Sequence, residues 1–175
     1  MDQQPCTETV QTDDVGRPAT VTVDWYAGDR AALRPLFALA EDSAAELDSY
    51  IESGRVLVAA LGGLTVGHLH LVQDENVGGA EIKNMAVRED LHGRGIGRLL
   101  VVEALARLAA EGVTVVRVAT ASADTGNLRF YQRLGFRMRS VERDAFTPAT
   151  GYHPGLLIDG VPLRDRVWLD QQTTA

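Results

Sequence analysis

The chain has 175 residues, of which 45% are apolar and 23% charged, with a formal net charge of −7. That length and balance describe one globular domain with room for a sizeable core, and the acidic excess disfavours nucleic acid or an anionic membrane surface as a partner. No apolar run approaches the ~20 residues that cross a bilayer. The opening residues, Met1-Asp-Gln-Gln-Pro-Cys-Thr-Glu, carry neither the basic nor the apolar segment of a secretion signal, so a cytoplasmic location is expected.

Residues 1–19 are polar and include Pro5, Gly16 and Pro18, which predicts a flexible N-terminal leader followed by a single domain over 20–175. Cys6, the chain's only cysteine, lies in that leader with no base beside it to make a nucleophile. Residues 20–26 alternate as a strand does. Asp29 then suits the N-cap of a helix over roughly 30–40, and Ser43 with Glu46 forms a capping-box pattern for a second helix ending near Gly54. Residues 55–61 and 64–72, joined by Gly62-Gly63, predict a β-hairpin. Residues 79–88 give the next strand, and a glycine-rich loop leads from it into a helix that runs to Glu111. A buried strand over 113–119 and a helix over 124–134 follow, with last strands at 136–142 and 163–170. The segment between those strands, 143–160, is long and irregular, as functional loops often are. The order β-α-α-β-β-β-α-β-α-β-β predicts an α/β fold with a mixed, twisted central sheet flanked by helices.

The strand–loop–helix junction at 81–98 carries the most chemistry. A glycine-rich loop opening a helix leaves backbone N–H groups unpaired at the positive end of the helix dipole, which suits an anion. Gly93, Gly95 and Gly97 let the backbone approach a phosphate closely. A phosphate loop of the Gly-x-x-x-x-Gly-Lys-Ser/Thr kind is excluded, because Lys83 is the only lysine. A dinucleotide fingerprint fails on its glycine spacing and on the missing acidic residue after the next strand.

The string His92-Gly93-Arg94-Gly95-Ile96-Gly97 resembles the pyrophosphate loop Gln/Arg-x-x-Gly-x-Gly/Ala of the GNAT superfamily of acetyl-CoA-dependent N-acetyltransferases, with His at the first position. Asn127-Leu-Arg-Phe-Tyr-Gln-Arg-Leu-Gly-Phe136 is similar to the second signature of that superfamily, a helix bearing Asn and Phe-Tyr and closing on Gly-Phe. The resemblance covers about residues 20–170. It implies a GNAT-like fold and transfer of an acetyl group from acetyl-CoA to an amine, with no metal.

The same resemblance implies site roles. His92, Gly93, Arg94, Gly95, Ile96, Gly97 and Arg98 would hold the cofactor phosphates, through backbone amides above all, the two arginines being otherwise a solvated helix start. Met85, Ala86 and Val87 would pair with the pantetheine arm where this strand splays from its neighbour. Tyr131 is similar to the tyrosine that protonates the departing thiolate, and otherwise is a core aromatic. Asn127 is similar to the asparagine that bonds the cofactor arm, and otherwise is a polar residue at a helix start. Glu81, set in an apolar stretch of the same strand, is the candidate base, its alternative being an exposed pair with Lys83. Period-two alternation places Glu81, Lys83 and Met85 on one face.

His68 and His70 also share a strand face, without further ligands at metal spacing, so they are expected to line the acceptor cleft or the sheet surface. Asp144, Tyr152 and His153 are expected to form the acceptor wall. The expected partner is a small-molecule amine, with no nucleic acid and no membrane; a protein amine, or a non-catalytic acyl-CoA sensor, is the alternative. An exposed C-terminal strand could support a homodimer.

Overall fold

The computed structural model describes residues 6–12, 18–75 and 78–173. Its centre is an eight-stranded sheet of order β1-β2-β3-β4-β5-β6-β10-β7. The strands are β1 (Cys6–Thr12), β2 (Pro18–Trp25), β3 (Arg55–Leu61), β4 (Leu64–Asp74), β5 (Gly79–Val87), β6 (Val115–Ala121), β7 (Arg137–Glu142) and β10 (Arg166–Gln172), with a small separate hairpin of β8 (Leu157–Ile158) and β9 (Val161–Pro162). Every neighbouring pair in the large sheet is antiparallel except β5 and β6, which makes the sheet mixed.

The predicted order is recovered with one strand added at the front and the β8–β9 hairpin added before the last strand, where the segment 143–160 was expected to be irregular. Residues 1–19 were expected to be a flexible leader; 1–5 and 13–17 lie outside the described residues, but Cys6–Thr12 is strand β1, paired with β2. Its composition is polar, yet Thr7, Thr9, Val10 and Thr12 are β-branched and suit an edge strand.

The helix expected over 30–40 breaks into a 3-10 turn, Arg30–Leu33, and the short α1, Arg34–Phe37. Pro35 has no N–H to give the carbonyl of Ala31, which instead accepts from Arg34 one residue earlier. Helix α2 (Ala44–Tyr50) begins as predicted, Ser43 Oγ accepting from the Glu46 amide at 3.2 Å. The other half of the expected capping box is replaced: the Ser43 amide donates to Glu41 at 3.0 Å. Helices α3 (Ile96–Ala110) and α4 (Thr125–Arg133) stand where the apolar periodicity put them. Strand β7 differs from its expected alternation. Phe136, just before it, is buried, while all six of its residues are exposed at the sheet edge.

The two sheet faces carry separate cores. On one, Leu99, Leu100, Ala104 and Leu108 of α3 pack against Leu57, Leu69, Ile82 and Val118 of the strands. On the other, Leu33, Phe37, Leu47, Tyr50 and Ile51 cover Val56. His68 and His70 sit under this smaller layer rather than in a cleft or on the surface, both with no exposed area. The His68 ring stacks on Phe37 at 4.1 Å between centroids, and His70 on Tyr50 at 5.7 Å. Burial lowers the pKa of His68 from 6.5 to about 3 and that of His70 to about 4.

Both histidines therefore stay neutral in the fold while their unfolded counterparts take up protons below about pH 6.5. Their contribution to stability is whole above that pH and is lost as the pH falls toward about 4. Near pH 5 the pair accounts for close to two protons bound on unfolding, on the order expected by linkage. We expect the urea midpoint to drop across this range, and His70→Gln, which keeps a donor for Ser53, to reduce the proton uptake by about one. An equal slope in the variant would contradict the assignment.

Candidate functional site

Parallel strands β5 and β6 pair over only three positions, Ala80 with Val116, Glu81 with Arg117 and Ile82 with Val118. Beyond Ile82 each strand continues, β5 to Val87 and β6 to Ala121, without pairing to the other. The parting coincides with a bulge. His70 of β4 faces Asn84 and the next residue, Leu71, faces Ile82, so Lys83 is an extra residue in β5. An inserted residue bends and twists its strand, and here it turns the end of β5 away from β6. A cleft of about 1030 Å³ runs through the gap, bounded by Met85, Ala86 and Val87 on one side and by Ala119, Thr120 and Ala121 on the other.

The bulge also corrects the expected alternation. Glu81 pairs with Val72 and Met85 with Leu69, three residues apart on β4 and therefore on opposite faces. Met85 belongs to the face covered by α3, where it packs on the main core. Glu81, Lys83 and Asn84 belong to the face of α1 and α2, where Lys83 Nζ lies 5.1 Å from the Tyr50 ring centroid.

At one end of the cleft β5 passes through a 3-10 turn, Glu89–Leu91, into the glycine loop. Gly95 is the N-cap of α3 at φ 82°, a left-handed conformation that costs other residues about 1–2 kcal/mol. It offers no side chain to cap the helix, so the amides of the first turn are left for a ligand. His92, Gly93, Gly95, Ile96, Gly97 and Arg98 all border the cleft. The Ile96 side chain is buried in the core, leaving its backbone for the site. Arg94 is exposed and does not border the cleft, whereas Arg129 and Arg133 of α4, not anticipated from the sequence, do. The His92 ring bonds through Nε2 to the Val87 carbonyl at 2.8 Å, fastening the loop to the end of β5. These residues fit an anionic, elongated group such as acetyl-CoA: uncapped helix amides, basic side chains from two helices, and two unpaired strand edges leading inward.

Asn127 and Tyr131 border the same cleft from α4. Asp124 caps this helix by accepting from the Asn127 amide at 2.8 Å, and its other oxygen accepts from Asn127 Nδ2 at 2.7 Å. The Asn127 side chain is thus oriented by the same carboxylate that caps the helix, a residue not singled out from the sequence. Tyr131 is buried, its ring edge-on to Phe130 at 5.0 Å and to Phe136 at 5.4 Å. Burial, helped by the charge of Asp124, raises the pKa of its phenol, so the hydroxyl stays protonated.

Glu81 lies toward the other end, its side chain 17% exposed and one oxygen 3.8 Å from Lys83 Nζ. The pair expected as the alternative is therefore present, but it is long and largely shielded. Burial outweighs Lys83 and raises the carboxyl pKa above its ordinary 4.5. Of the three residues expected in the acceptor wall, Tyr152 borders the cleft. Asp144 is exposed opposite Arg164, and His153 is exposed with Nδ1 against the Pro154 carbonyl. Glu41, Phe146, Arg166 and Trp168 are among the other residues that border the cleft. They come from segments far apart in the chain, and no local pattern marks them.

A family model described as "Acetyltransferase (GNAT) family" matches residues 23–136. The uncharacterized N-acetyltransferase YvbK of Bacillus subtilis (strain 168) is 29% identical over 140 residues, 79% of this chain and 88% of that one. An IAA acetyltransferase from Bacillus cereus ATCC 14579 superposes with a TM-score of 0.78 at 29% identity, over 87% of this chain and 99% of its own. A Bacillus subtilis acetyltransferase solved in complex with CoA superposes with a TM-score of 0.77 at 27% identity, over 86% and 97%. With the glycine loop, the parted strands and the helix carrying Asn127 and Tyr131 all bordering one cleft, the sequence match and the geometry agree: the chain belongs to the GNAT family of acetyltransferases.

Proposed function

We propose that this acetyl-CoA-dependent N-acetyltransferase moves the acetyl group directly to a primary amine of a small molecule, with both substrates held at once. The observation that supports this most is the continuity of the cleft, which joins the uncapped N-terminus of α3 to the shielded carboxylate of Glu81 through the gap between β5 and β6. Acetyl-CoA supplies the thioester. The protein supplies position, a proton acceptor and a proton donor.

The amides of 93–98 and the guanidinium of Arg98 bind the phosphates, while Arg129 and Arg133 add positive charge. Met85, Ala86 and Val87 offer the backbone groups of an unpaired strand edge to the cofactor arm, and Asn127 is aimed by Asp124 at the same channel. Glu81, its pKa raised by burial, takes a proton from the incoming ammonium. The neutral amine then forms the C–N bond as the C–S bond breaks, Tyr131 gives its proton to the leaving sulfur, and the second proton shed by the nitrogen restores the phenol. No thiol belongs to the cleft, since the chain's one cysteine is in β1, four strands away from β5 at the sheet edge. That favours direct transfer over an acetylated protein intermediate. The acceptor end, enclosed by segments from opposite ends of the chain, favours a compact amine.

Three outcomes test this reading. Purified protein should release free CoA from acetyl-CoA with at least one member of a panel of polyamines, amino acids and amino sugars, and not with Lys- or N-terminal peptides; turnover confined to the peptides would replace the small-molecule acceptor. Glu81→Gln and Tyr131→Phe should each lower kcat/KM by about 10²-fold or more, Glu81→Gln also removing the acidic limb of the pH profile. Full activity in both variants at every pH would remove these roles. Gly95→Glu places a carboxylate where phosphate is proposed to bind, in space with no atom within 4 Å of the new Cβ. The variant should fold, with a modest loss of thermal stability from its left-handed backbone, and lose the CoA-induced thermal shift; an undiminished shift would contradict the phosphate site.

A further inference from the structure

The acceptor end of the cleft is held together by one carboxylate. Glu41 lies between α1 and α2, and its Oε1 accepts from the Tyr152 hydroxyl at 2.9 Å and from the Ser43 amide at 3.0 Å. Its Oε2 accepts from the Tyr50 hydroxyl at 3.3 Å. Three donors on one carboxylate, from α2, the α2 N-cap and the 143–160 segment, tie residues 111 positions apart. The junction is tight elsewhere as well. Gly151 has φ 87°, and a Cβ there would lie 2.5 Å from Ser43 Oγ, so a side chain would both strain the backbone and displace the hydroxyl that caps α2. Ala145 and Tyr152 are buried, and Tyr152 stands edge-on to Phe146 at 4.9 Å.

Behind Glu41 the donors run in one direction. Asn84 Nδ2 donates to the Tyr50 oxygen at 2.8 Å, leaving the Tyr50 proton for Glu41. Asn84 Oδ1 must then accept from His68 Nε2 at 2.8 Å, which fixes that ring as the Nε2–H tautomer. Asn84 follows the β5 bulge, so the distortion that parts the sheet also anchors the acceptor wall.

We propose that Glu41 is a positioning residue for the acceptor. It clasps the 143–160 segment onto α2 and so sets the size of the pocket in which the amine meets Glu81, favouring a compact amine over an extended chain. This rests on the acetyltransferase reading above; the clasp itself is a property of the fold and is testable without a substrate.

The experiment has two arms, each run on wild type, Glu41→Gln, Tyr152→Phe and the double variant. Tyr152→Phe keeps the buried ring and removes one hydroxyl, so it reports on the clasp even if the Glu41 variant folds poorly. In the first arm, hydrogen exchange should show the amides of Gly151 and Tyr152, bonded to Pro148 and Thr147, losing about tenfold protection or more in either single variant. The double variant should lose little further, because both changes cut one link. Unchanged protection in both singles, or additive losses, would overturn the clasp. In the second arm, the amine KM should rise about tenfold or more while the acetyl-CoA KM moves less than twofold, with longer amines gaining relative to compact ones. Loosened exchange with an unaltered amine KM and unaltered preference would overturn the role in acceptor placement. A wild type that neither binds CoA nor turns it over would defeat the acetyltransferase reading alone, and the exchange arm would still decide the clasp.

Discussion

The rest of this molecule depends on the separation of two parallel strands after three residue pairs. Hydrogen bonding would normally continue along β5 and β6, because unpaired backbone groups inside a sheet are costly. Here a single inserted residue, Lys83, bends β5 at the point where the ladder stops. The outward-facing groups stay paired on both sides, β5 with β4 through Val87 and β6 with β10 through Ala121, while the inward-facing groups border the cleft. An opening can thus exist in the middle of a sheet that stays continuous at its flanks.

That opening sorts the chemistry by face. The same inserted residue sends Met85 toward α3 and keeps Glu81, Lys83 and Asn84 toward α1 and α2. Helix α3 is supported by the large core, and α1 and α2 by the smaller core around Phe37, Tyr50 and the two buried histidines. In the smaller core a directed chain of hydrogen bonds runs from His68 through Asn84 and Tyr50 to Glu41, which is how a buried polar network can hold one arrangement, while Nδ1 of both His68 and His70 stays without a partner among the described residues.

The order of elements and the glycine loop were legible in the sequence because both follow local rules. Periodicity marks α3 and α4, and the spacing of Gly93, Gly95 and Gly97 marks a helix N-terminus without a side-chain cap. The register was not legible: one extra residue in β5 inverted the face expected for Met85 relative to Glu81, and no propensity signals such an insertion. His68 and His70 read as cleft or surface residues from their alternation, but the short helices that cover them are tertiary partners invisible to a strand pattern. Polar composition also misled at β1, where β-branched residues added a strand to an open edge. Glu41 carried no signal at all, since its three donors are brought together only by the fold.

An ordinary open sheet has two free edges; this one has four, two of them facing each other across an internal slot. Outer edges invite any passing strand, and proteins blunt them with charge, as the exposed Arg137, Arg139 and Glu142 of β7 do. The inner edges lie within the sheet, where Met85, Ala86 and Val87 border the cleft from one side and Ala119, Thr120 and Ala121 from the other. A slot of this kind presents backbone groups from two strands to the space between them, as the two neighbours of a central strand do. The chain thus carries two sorts of sheet edge, one turned outward and one turned to the cleft, and the inner sort belongs to the backbone of β5 and β6.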